Sequence, residues 1–511
     1  MHTFATIAVI AIAILILWIV YDITQKKHAI LHNFPVIGHF RYWLENIGPE
    51  LRQYIVTNND EERPFSRDAR RWVYASSKKQ NNYFGFGTDN DIESTSNYLI
   101  IRHSAFPLND PGPDEEGFDP DFRIPCNKVL GEYRQRRQPF RPDSVINLSA
   151  MSFGSLSAPA IEAFNLGAIQ AGCLHNTGEG GVSSHHQHGA ELIWQIGTGY
   201  FGCRDANGRF DLGRCRDIVA ANPIRAIEIK LSQGAKPGRG GLLPAAKITP
   251  EIAAIRGIPM GKDCASPSSH SEFRDVDSML DFVERLADET GLPVGVKSAV
   301  GSMGFWQDLA DQINRTQRSV DFITIDGGEG GTGAAPLVFS DHVAMPFKLA
   351  FSGVYRTFLD ADLDQKIAFI GSGKLGFPQS ALLSFGLGCD MINVGREAML
   401  AIGCIQAQRC HTGHCPTGVA TQNRWLAAGI DPAHKANRFA NYVVALRKEV
   451  LQLSRACGVS HPSFVSTDQL ELVDGGIQSK TVTECFGYRK RDVRHATKGE
   501  QENREVGSPN G

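Results

Sequence analysis

The chain has 511 residues, 42% of them hydrophobic and 21% charged, with a net charge of -3 from 52 Lys plus Arg and 55 Asp plus Glu. Such a balance offers no basic face and argues against a nucleic-acid partner, while the length assures a sizeable core in one elaborated domain or roughly two to four ordinary ones. The 52 glycines gather in runs such as GEGG, GRGG, GGEGGTG and GSG, where backbone must turn sharply or approach a ligand closely, as around a phosphate-bearing cofactor.

Phe4 to Tyr21 is an uncharged apolar run close to the ~20 residues that cross a bilayer. A cleaved signal peptide is the alternative, but a charged leader and a small-x-small cleavage site are both absent. Residues 1–27 therefore read as a single-pass membrane anchor. Trp18 and Tyr21 stand where an aromatic belt would, and Lys26, Lys27 and His28 follow, which puts the body of the protein in the cytoplasm. In that reducing compartment clustered cysteines hold metal more readily than they form disulfides. Residues 28–144, rich in Arg, Asn, Asp and Pro, read as an extension packing on a later domain, with an independent small domain as the other reading.

From residue 145 the texture changes to short apolar runs ending in glycine or polar residues: VINLSAMSFGS, AIEIKLSQG, PVGVKSAVG, DFITIDGGEGG, KIAFIGSGK and MINVGREA. Each fits a strand buried on both faces, and helical stretches such as SMLDFVERLADET lie between them. Strand, loop and helix repeated over residues 145–430 predict a parallel α/β fold, either an eightfold (β/α)8 TIM barrel or a doubly wound sheet. In a barrel the functional residues follow the strands. There Gly371, Ser372, Gly373 and Lys374 follow one strand and Gly395 and Arg396 the next, matching the phosphate site that barrels build from their last two loops. No GxGxxG opens a βαβ unit, so flavin mononucleotide (FMN) suits the site better than a dinucleotide.

Cys404, Cys410 and Cys415 follow the last predicted strand in C-x5-C-x4-C spacing. Zinc prefers four ligands, often from C-x2-C pairs, whereas three thiolates with a Cys-Pro step suit an iron-sulfur cluster lacking one iron. Zinc completed by His411 or His414, and cysteines without a metal, remain open on spacing alone.

The CHTGHCPTGVATQ run, together with SAMSFGSLS (Ser149 to Ser157), HNTGEGG (His175 to Gly181), EIKLSQGAKPGRGGLLP (Glu228 to Pro244) and DGGEGGTGAAP (Asp326 to Pro336), resembles the synthase domain of glutamate synthases. The likeness spans about residues 145–425 and is nearest to stand-alone, membrane-anchored members without an amidotransferase part. It implies a TIM barrel that holds FMN and a 3Fe-4S cluster and reduces 2-iminoglutarate, formed from 2-oxoglutarate and ammonia, to glutamate. Cys404, Cys410 and Cys415 fall on the cluster ligands. Glu179, Lys230, Gln233 and Lys236 fall on catalytic positions, and Arg256, with Lys230 and Ser152, on the substrate site. Ser149, Met151, Ser152, Gln233, Lys297, Gly328, Gly331, Thr332, Gly333, Gly371, Gly373, Gly395 and Arg396 fall around the flavin.

The chemistry asks for such groups independently, because a diacid needs cations for two carboxylates, and Lys230, Lys236 and Arg256 supply them. Lys297 near the flavin ring would stabilise its anionic reduced form, and Glu179 would relay a proton to or from the imine nitrogen. Solvated loop lysines and a helix-capping Glu179 are the plain alternatives.

Ser266-Pro267-Ser268-Ser269-His270-Ser271-Glu272 departs from the SPPPHHD usual in the family, which opens the substrate to question. Residues 1–144 contain a single cysteine, Cys126, and no glutaminase is expected. Ammonia, or another amine, would arrive free or from a partner, and electrons from a ferredoxin or a separate reductase subunit. Other outcomes are a related flavoenzyme making an N-alkyl glutamate and a non-catalytic membrane-tethered electron-transfer subunit. Residues 431–495 read as a helical extension and 496–511 as a disordered polar tail.

Overall fold

The computed structural model describes residues 2–115, 117–475 and 478–488, so the expected polar tail lies outside the described residues. The chain divides into two compact units, Met1–Arg70 and Arg71–Gly511.

In the first unit, helix α1 (His2–Thr24) is apolar almost throughout, and its Thr3–Thr24 stretch is long and apolar enough to cross a membrane. After a five-residue helical segment over Ala29–Asn33 comes helix α2 (Gly38–Leu51). The Val36 N–H donates to Asp22 Oδ2 at 2.8 Å and His39 Nε2 lies 2.9 Å from Asp22 Oδ1, which ties the end of α1 to the start of α2.

The second unit is built on a closed barrel of eight parallel strands. They are β1 (Ile146–Leu148), β2 (His175–Asn176), β3 (Leu192–Ile196), β4 (Ile224–Lys230), β5 (Val294–Ser298), β6 (Phe322–Asp326), β7 (Ala368–Ser372) and β8 (Met391–Val394). Each pairs with its successor, and β8 closes on β1 through Ile392 to Ile146 and Val394 to Leu148. The doubly wound alternative is thereby excluded. Six of these strands are the apolar runs of the sequence. The others, β2 and β3, carry no such signal, β2 because it is two polar residues long and β3 because Trp194 and Gln195 interrupt it.

Alternation along each strand fills the interior in layers. At the N-terminal end Ile193, Ala226, Phe322, Ala368 and Met391 pack with Cys126, Leu130 and Phe140, residues upstream of β1 that plug the barrel floor. Arg136 fastens this plug: its guanidinium pairs with Asp321 at 2.9 Å and with Glu284 at 2.5 Å and donates to the Ser319 carbonyl at 2.9 Å. Two residues further along β4, Glu228 is fully buried. It accepts from Asn176 Nδ2 at 2.9 Å, Gln195 Nε2 at 2.6 Å and Thr324 Oγ1 at 2.7 Å, so four strands meet on one carboxylate. Another two residues place Lys230 at the mouth.

Outside the barrel, helix α3 (Ala158–Ala171) packs on α4 (Pro432–Ala456). A Cβ at Gly167 would stand 2.7 Å from the Ala436 carbonyl oxygen, so glycine permits this approach. Residues 231–275, between β4 and the outer helix Val276–Thr290, border the mouth with a short hairpin pairing Leu242–Leu243 with Cys264–Ala265 and a helix over Pro250–Arg256.

Candidate active site

Lys230 ends β4, and Glu179 comes from the loop after β2. That loop turns at Gly178, whose φ is +66° and whose Cβ would stand 2.6 Å from the Ser152 nitrogen, so the conformation admits only glycine. Lys230 Nζ donates to Glu179 Oε1 at 2.6 Å and to Gln233 Oε1 at 2.7 Å. Lys236, also buried, donates to the Ala334 carbonyl at 3.3 Å, beside Thr332 and Gly333. Arg256 ends its short helix with Nη2 donating to Ser152 Oγ at 3.3 Å and to the Phe153 carbonyl at 3.2 Å, its guanidinium 5.1 Å from the centre of the Phe201 ring. The structure thus brings Ser152, Glu179, Lys230, Gln233, Lys236 and Arg256 together at the C-terminal mouth, buried or nearly so, as solvated loop lysines would not be.

The electrostatics follow from burial. Lys236 is pushed down to about 8 by burial and by the neighbouring Lys230 charge, with Glu179 opposing. Burial also lowers Arg256, against the pull of Cys264 and Glu179. Burial alone would raise the Glu179 carboxyl, but Lys230, Lys236 and Arg256 outweigh it and hold the acid below its ordinary range. Burial would lower Lys297, yet the Asp326 and Glu228 charges leave it above the usual lysine value. Three cations facing one carboxylate suit an incoming dianion, which restores the charge balance in a site of low dielectric.

The loop Ser266 to Glu272 borders this cluster. A Cβ at Gly241 would meet Glu179 Oε1 at 2.6 Å and Ser266 Oγ at 3.4 Å, so Ser266 and the Glu179 carboxylate are close neighbours. His270 Nε2 lies 2.9 Å from the Lys230 carbonyl and His270 Nδ1 3.0 Å from Tyr200 Oη. The carbonyl can only accept, so Nε2 carries the proton and Nδ1 accepts from the tyrosine hydroxyl. Tyr200 Oη in turn accepts from the Ser271 and Glu272 amides at 3.1 and 3.3 Å. The histidine kept in this divergent loop is therefore the one that ties it to the strand bearing Lys230.

Residues assigned to a flavin line the same mouth. Lys297, at the end of β5, is 6% exposed and its ion pair with Asp326 Oδ2 is long, 3.6 Å. This leaves its ammonium with hydrogen-bonding capacity for a cofactor acceptor, so the residues present fit a flavin. Gly371 proves to be inside β7, where a Cβ would crowd Cys389 Sγ and Phe347 at 2.9 Å, so its smallness serves wall packing. Gly373 makes the turn at φ +122°, its Cβ position 3.1 Å from the Gly327 nitrogen. Gly395 caps the helix after β8 and faces Ser149 at 3.5 Å, while Arg396 packs on Gly331 and donates to the Glu329 carbonyl. Gly328 donates to the Met345 carbonyl at 2.9 Å, and Met151 adjoins the Gly178 turn.

Cys404, Cys410 and Cys415 lie on one loop after β8 with little regular structure. Among the described residues no three His, Cys, Asp or Glu side chains are gathered closely enough for a metal ion. Cys410 and Cys415 do interact, and Lys247 straps the loop by donating to the carbonyls of Cys410 at 2.7 Å and Ala420 at 3.1 Å. A burial effect that would raise the Cys415 thiol is outweighed by the Thr417 hydroxyl and the amides of Ala420, Thr417 and Val419. That donor set favours thiolate, the form that metals bind, and metal binding itself supplies free energy for gathering a loop's ligands.

Sequence reasoning missed Glu228, Asn176, Gln195, Asp326, Tyr200 and the role of His270. The signal for Glu228 was present: in Ala226-Ile227-Glu228-Ile229-Lys230 the residues facing inward alternate with apolar ones facing the helices.

A closed parallel barrel with buried polar groups converging at its C-terminal mouth is the plan on which many enzymes are built. The relationship is more particular than that. The conserved region of glutamate synthase matches residues 125–460, and the chain belongs to the glutamate synthase family. It is 37% identical over 496 residues to the glutamate synthase large subunit-like protein YerD of Bacillus subtilis, covering 91% of this chain and 94% of that one. An archaeal glutamate synthase [NADPH] of Methanocaldococcus jannaschii is 35% identical over 350 residues, 68% of this chain but 65% of its own. Among solved structures, a mandelate oxidase with an FMN adduct is similar at a TM-score of 0.42 and 12% identity, covering 87% of this chain and 99% of that one.

Proposed function

We propose that this protein is a glutamate synthase-like oxidoreductase that binds FMN at the barrel mouth and reduces 2-iminoglutarate, formed from 2-oxoglutarate and ammonia, to L-glutamate. The observation that carries the reading is the buried convergence of Lys230, Lys236 and Arg256 on Glu179. Arg256, Lys230 and Lys236 bind and orient the two carboxylates, which excludes water from the imine carbon lying between them. Glu179, kept ionised by its three cationic neighbours, accepts a proton from the incoming amine nitrogen and returns it to the product nitrogen. Gln233 fixes the Lys230 ammonium.

FMN, when bound, supplies the hydride; Ser149, Met151, Ser152, Gln233 and Lys297 would hold its ring, and the loop of Gly328, Gly331, Thr332 and Gly333, with Gly371, Gly373, Gly395 and Arg396 at the ends of β7 and β8, its tail and phosphate. Cys404, Cys410 and Cys415 would hold a 3Fe-4S cluster that accepts electrons from a ferredoxin or a separate reductase subunit. α1 would anchor the protein as a single-pass membrane protein with its catalytic unit in the cytoplasm. Residues 28–144 and 431–495 would be extensions of a catalytic region over 145–430.

The test is single-turnover chemistry on anaerobically reduced protein mixed with 2-oxoglutarate and ammonium. Stoichiometric glutamate, lost in Lys230→Ala and Arg256→Ala, supports the reading; a reduced flavin indifferent to both substrates rejects it. Iron and sulfide content, reduced in Cys410→Ser and Cys415→Ser, tests the cluster separately.

A second reading, formation of an N-alkyl glutamate, is favoured by one observation: the divergent loop Ser266 to Glu272 adjoins Glu179, the residue given the proton of the nitrogen in the first reading. Turnover with methylamine but not ammonium would decide for it.

A further inference from the structure

The first unit presents an apolar surface that the catalytic reading leaves without a purpose. Ile37, Phe40, Trp43, Leu44, Leu51 and Ile55 recur at spacings of three, four and seven through α2 and the turn that continues it, and all are exposed, Ile37 by 78% and Ile55 by 74%. Arg41, Glu45, Glu50 and Arg52 border it. Solvent exposure of such a stripe leaves several aromatic and branched side chains in water, a contiguous apolar patch of the kind that marks a contact with another surface.

The stripe begins where α1 ends. Asp22, fully buried, receives the Val36 N–H and the His39 Nε2–H, and the Trp18 indole packs on the His39 ring with centroids 5.1 Å apart. This knot fixes the first turn of α2 against the last turns of α1. Phe4, Ile7, Ile10, Ile14 and Leu17 are all exposed, so α2 does not run back along α1 to cover it. The two helices diverge from the knot with their apolar faces uncovered.

We propose that α2 is a second membrane contact, an amphipathic helix lying in the headgroup region of the leaflet from which α1 emerges. The proposal rests on the reading that α1 crosses the membrane. Three features select lipid as the occupant. The stripe is continuous, through Trp18 and His39, with the apolar surface of α1. Its aromatic content, Phe40 stacked on Trp43 with centroids 5.6 Å apart and Tyr54 beyond, is that of side chains at a bilayer interface. Lys26, Lys27, Arg41 and Arg52 flank it and suit anionic headgroups. Two contacts joined by a rigid knot would hold the chain at a set depth, which a lone spanning helix does not do.

The experiment uses the full chain reconstituted in phosphatidylcholine and phosphatidylglycerol vesicles whose acyl chains carry bromine at shallow or deep positions. Tryptophan quenching is compared for the parent chain, Trp18→Phe and Trp43→Phe. Trp43→Phe is expected to lose a component quenched more by shallow than by deep bromine. In a Phe40→Glu, Leu44→Glu variant, where α1 is intact, that component should move to quenching by aqueous iodide. If Trp43→Phe loses no lipid-quenched component while Trp18→Phe does, α1 is in lipid and α2 is not, and the proposal falls. If neither variant loses one, the membrane reading of α1 falls with it.

Discussion

Lys230 Nζ and Glu179 Oε1 stand 2.6 Å apart at the end of β4, in a setting where each is mostly withdrawn from water. Gly197 and Gly241 both lie beside the Glu179 carboxylate and leave it room that any larger residue would take. A methyl group at position 241 would sit 2.6 Å from Oε1. The colliding atoms are the end of a flexible side chain, so Gly241→Ala should fold normally while displacing the carboxylate from Lys230. Misplacement on this scale lowers turnover by roughly 10²-fold. Glutamate formation measured beside a thermal melt checks this: a normal melt with parental turnover would show that Glu179 need not stand where Gly241 holds it.

Lys236 gives the reaction an alkaline limit. A lysine with a pKa near 8 is charged below that pH and loses its charge as pH rises through about 8. Binding of a dianion therefore weakens on the alkaline side, and kcat/KM for 2-oxoglutarate, which reports the free enzyme, should fall tenfold for each pH unit above about 8. Lys236→Arg, charged at every accessible pH, should move this limb upward, and Lys236→Met should flatten it at a low value. A limb that stays near 8 in Lys236→Met would assign it to another group.

Tyr200 and His270 position Lys230 without being placed to touch a substrate. Tyr200→Phe removes a donor to His270 Nδ1 and the acceptor for the Ser271 and Glu272 amides. Leaving such partly buried groups unpaired costs about 1–3 kcal/mol. The melting temperature should drop, and KM for 2-oxoglutarate should rise more than kcat falls, because the loosened loop releases the Lys230 carbonyl. A variant with lowered stability but unchanged KM would make the contact purely structural.

Much of this arrangement is legible in the sequence because parallel strands buried on both faces are written as uninterrupted apolar runs, and because a barrel puts whatever follows them on one rim. That logic reaches Lys230, Lys297 and Gly395 directly. It fails at β2, where Asn176 owes its strand conformation to β1 and β3 on either side and only two residues are involved. It fails differently at Gly371, whose position in a glycine-rich run suggests a loop although Phe347 and Cys389 demand its small size within a strand. The inward register of Glu228 was readable in its strand, but its role was not, because the partners that satisfy its charge, Asn176, Gln195 and Thr324, come from three other strands. The tie between Asp22 and His39 has no local signature at all, since it depends on how two helices meet.

The barrel wall also carries a charge that the fold refuses. His175 and His186 are fully buried with ring centroids 5.1 Å apart. Asn165 Nδ2 donates to His175 Nδ1 at 3.2 Å, and Ser183 Oγ contacts His186 Nδ1 at 2.8 Å, arrangements suited to neutral rings. Burial pushes His175 down to about 3, and burial followed by the His175 and His185 charges lowers His186 as well. In the unfolded chain a histidine titrates near 6.5, so below about that pH the unfolded state binds protons that the native state does not. Stability is complete above that value and declines as pH falls, by about 1.4 kcal/mol per pH unit for each such histidine, until the native His175 itself protonates. Urea unfolding at pH 7, 6 and 5 should show this decline, and His175→Asn, though less stable at pH 7, should show a slope smaller by close to one proton. Carboxylates contribute equally to parent and variant, so the difference between the two slopes isolates the histidine; equal slopes would mean that His175 takes up its proton in the folded barrel.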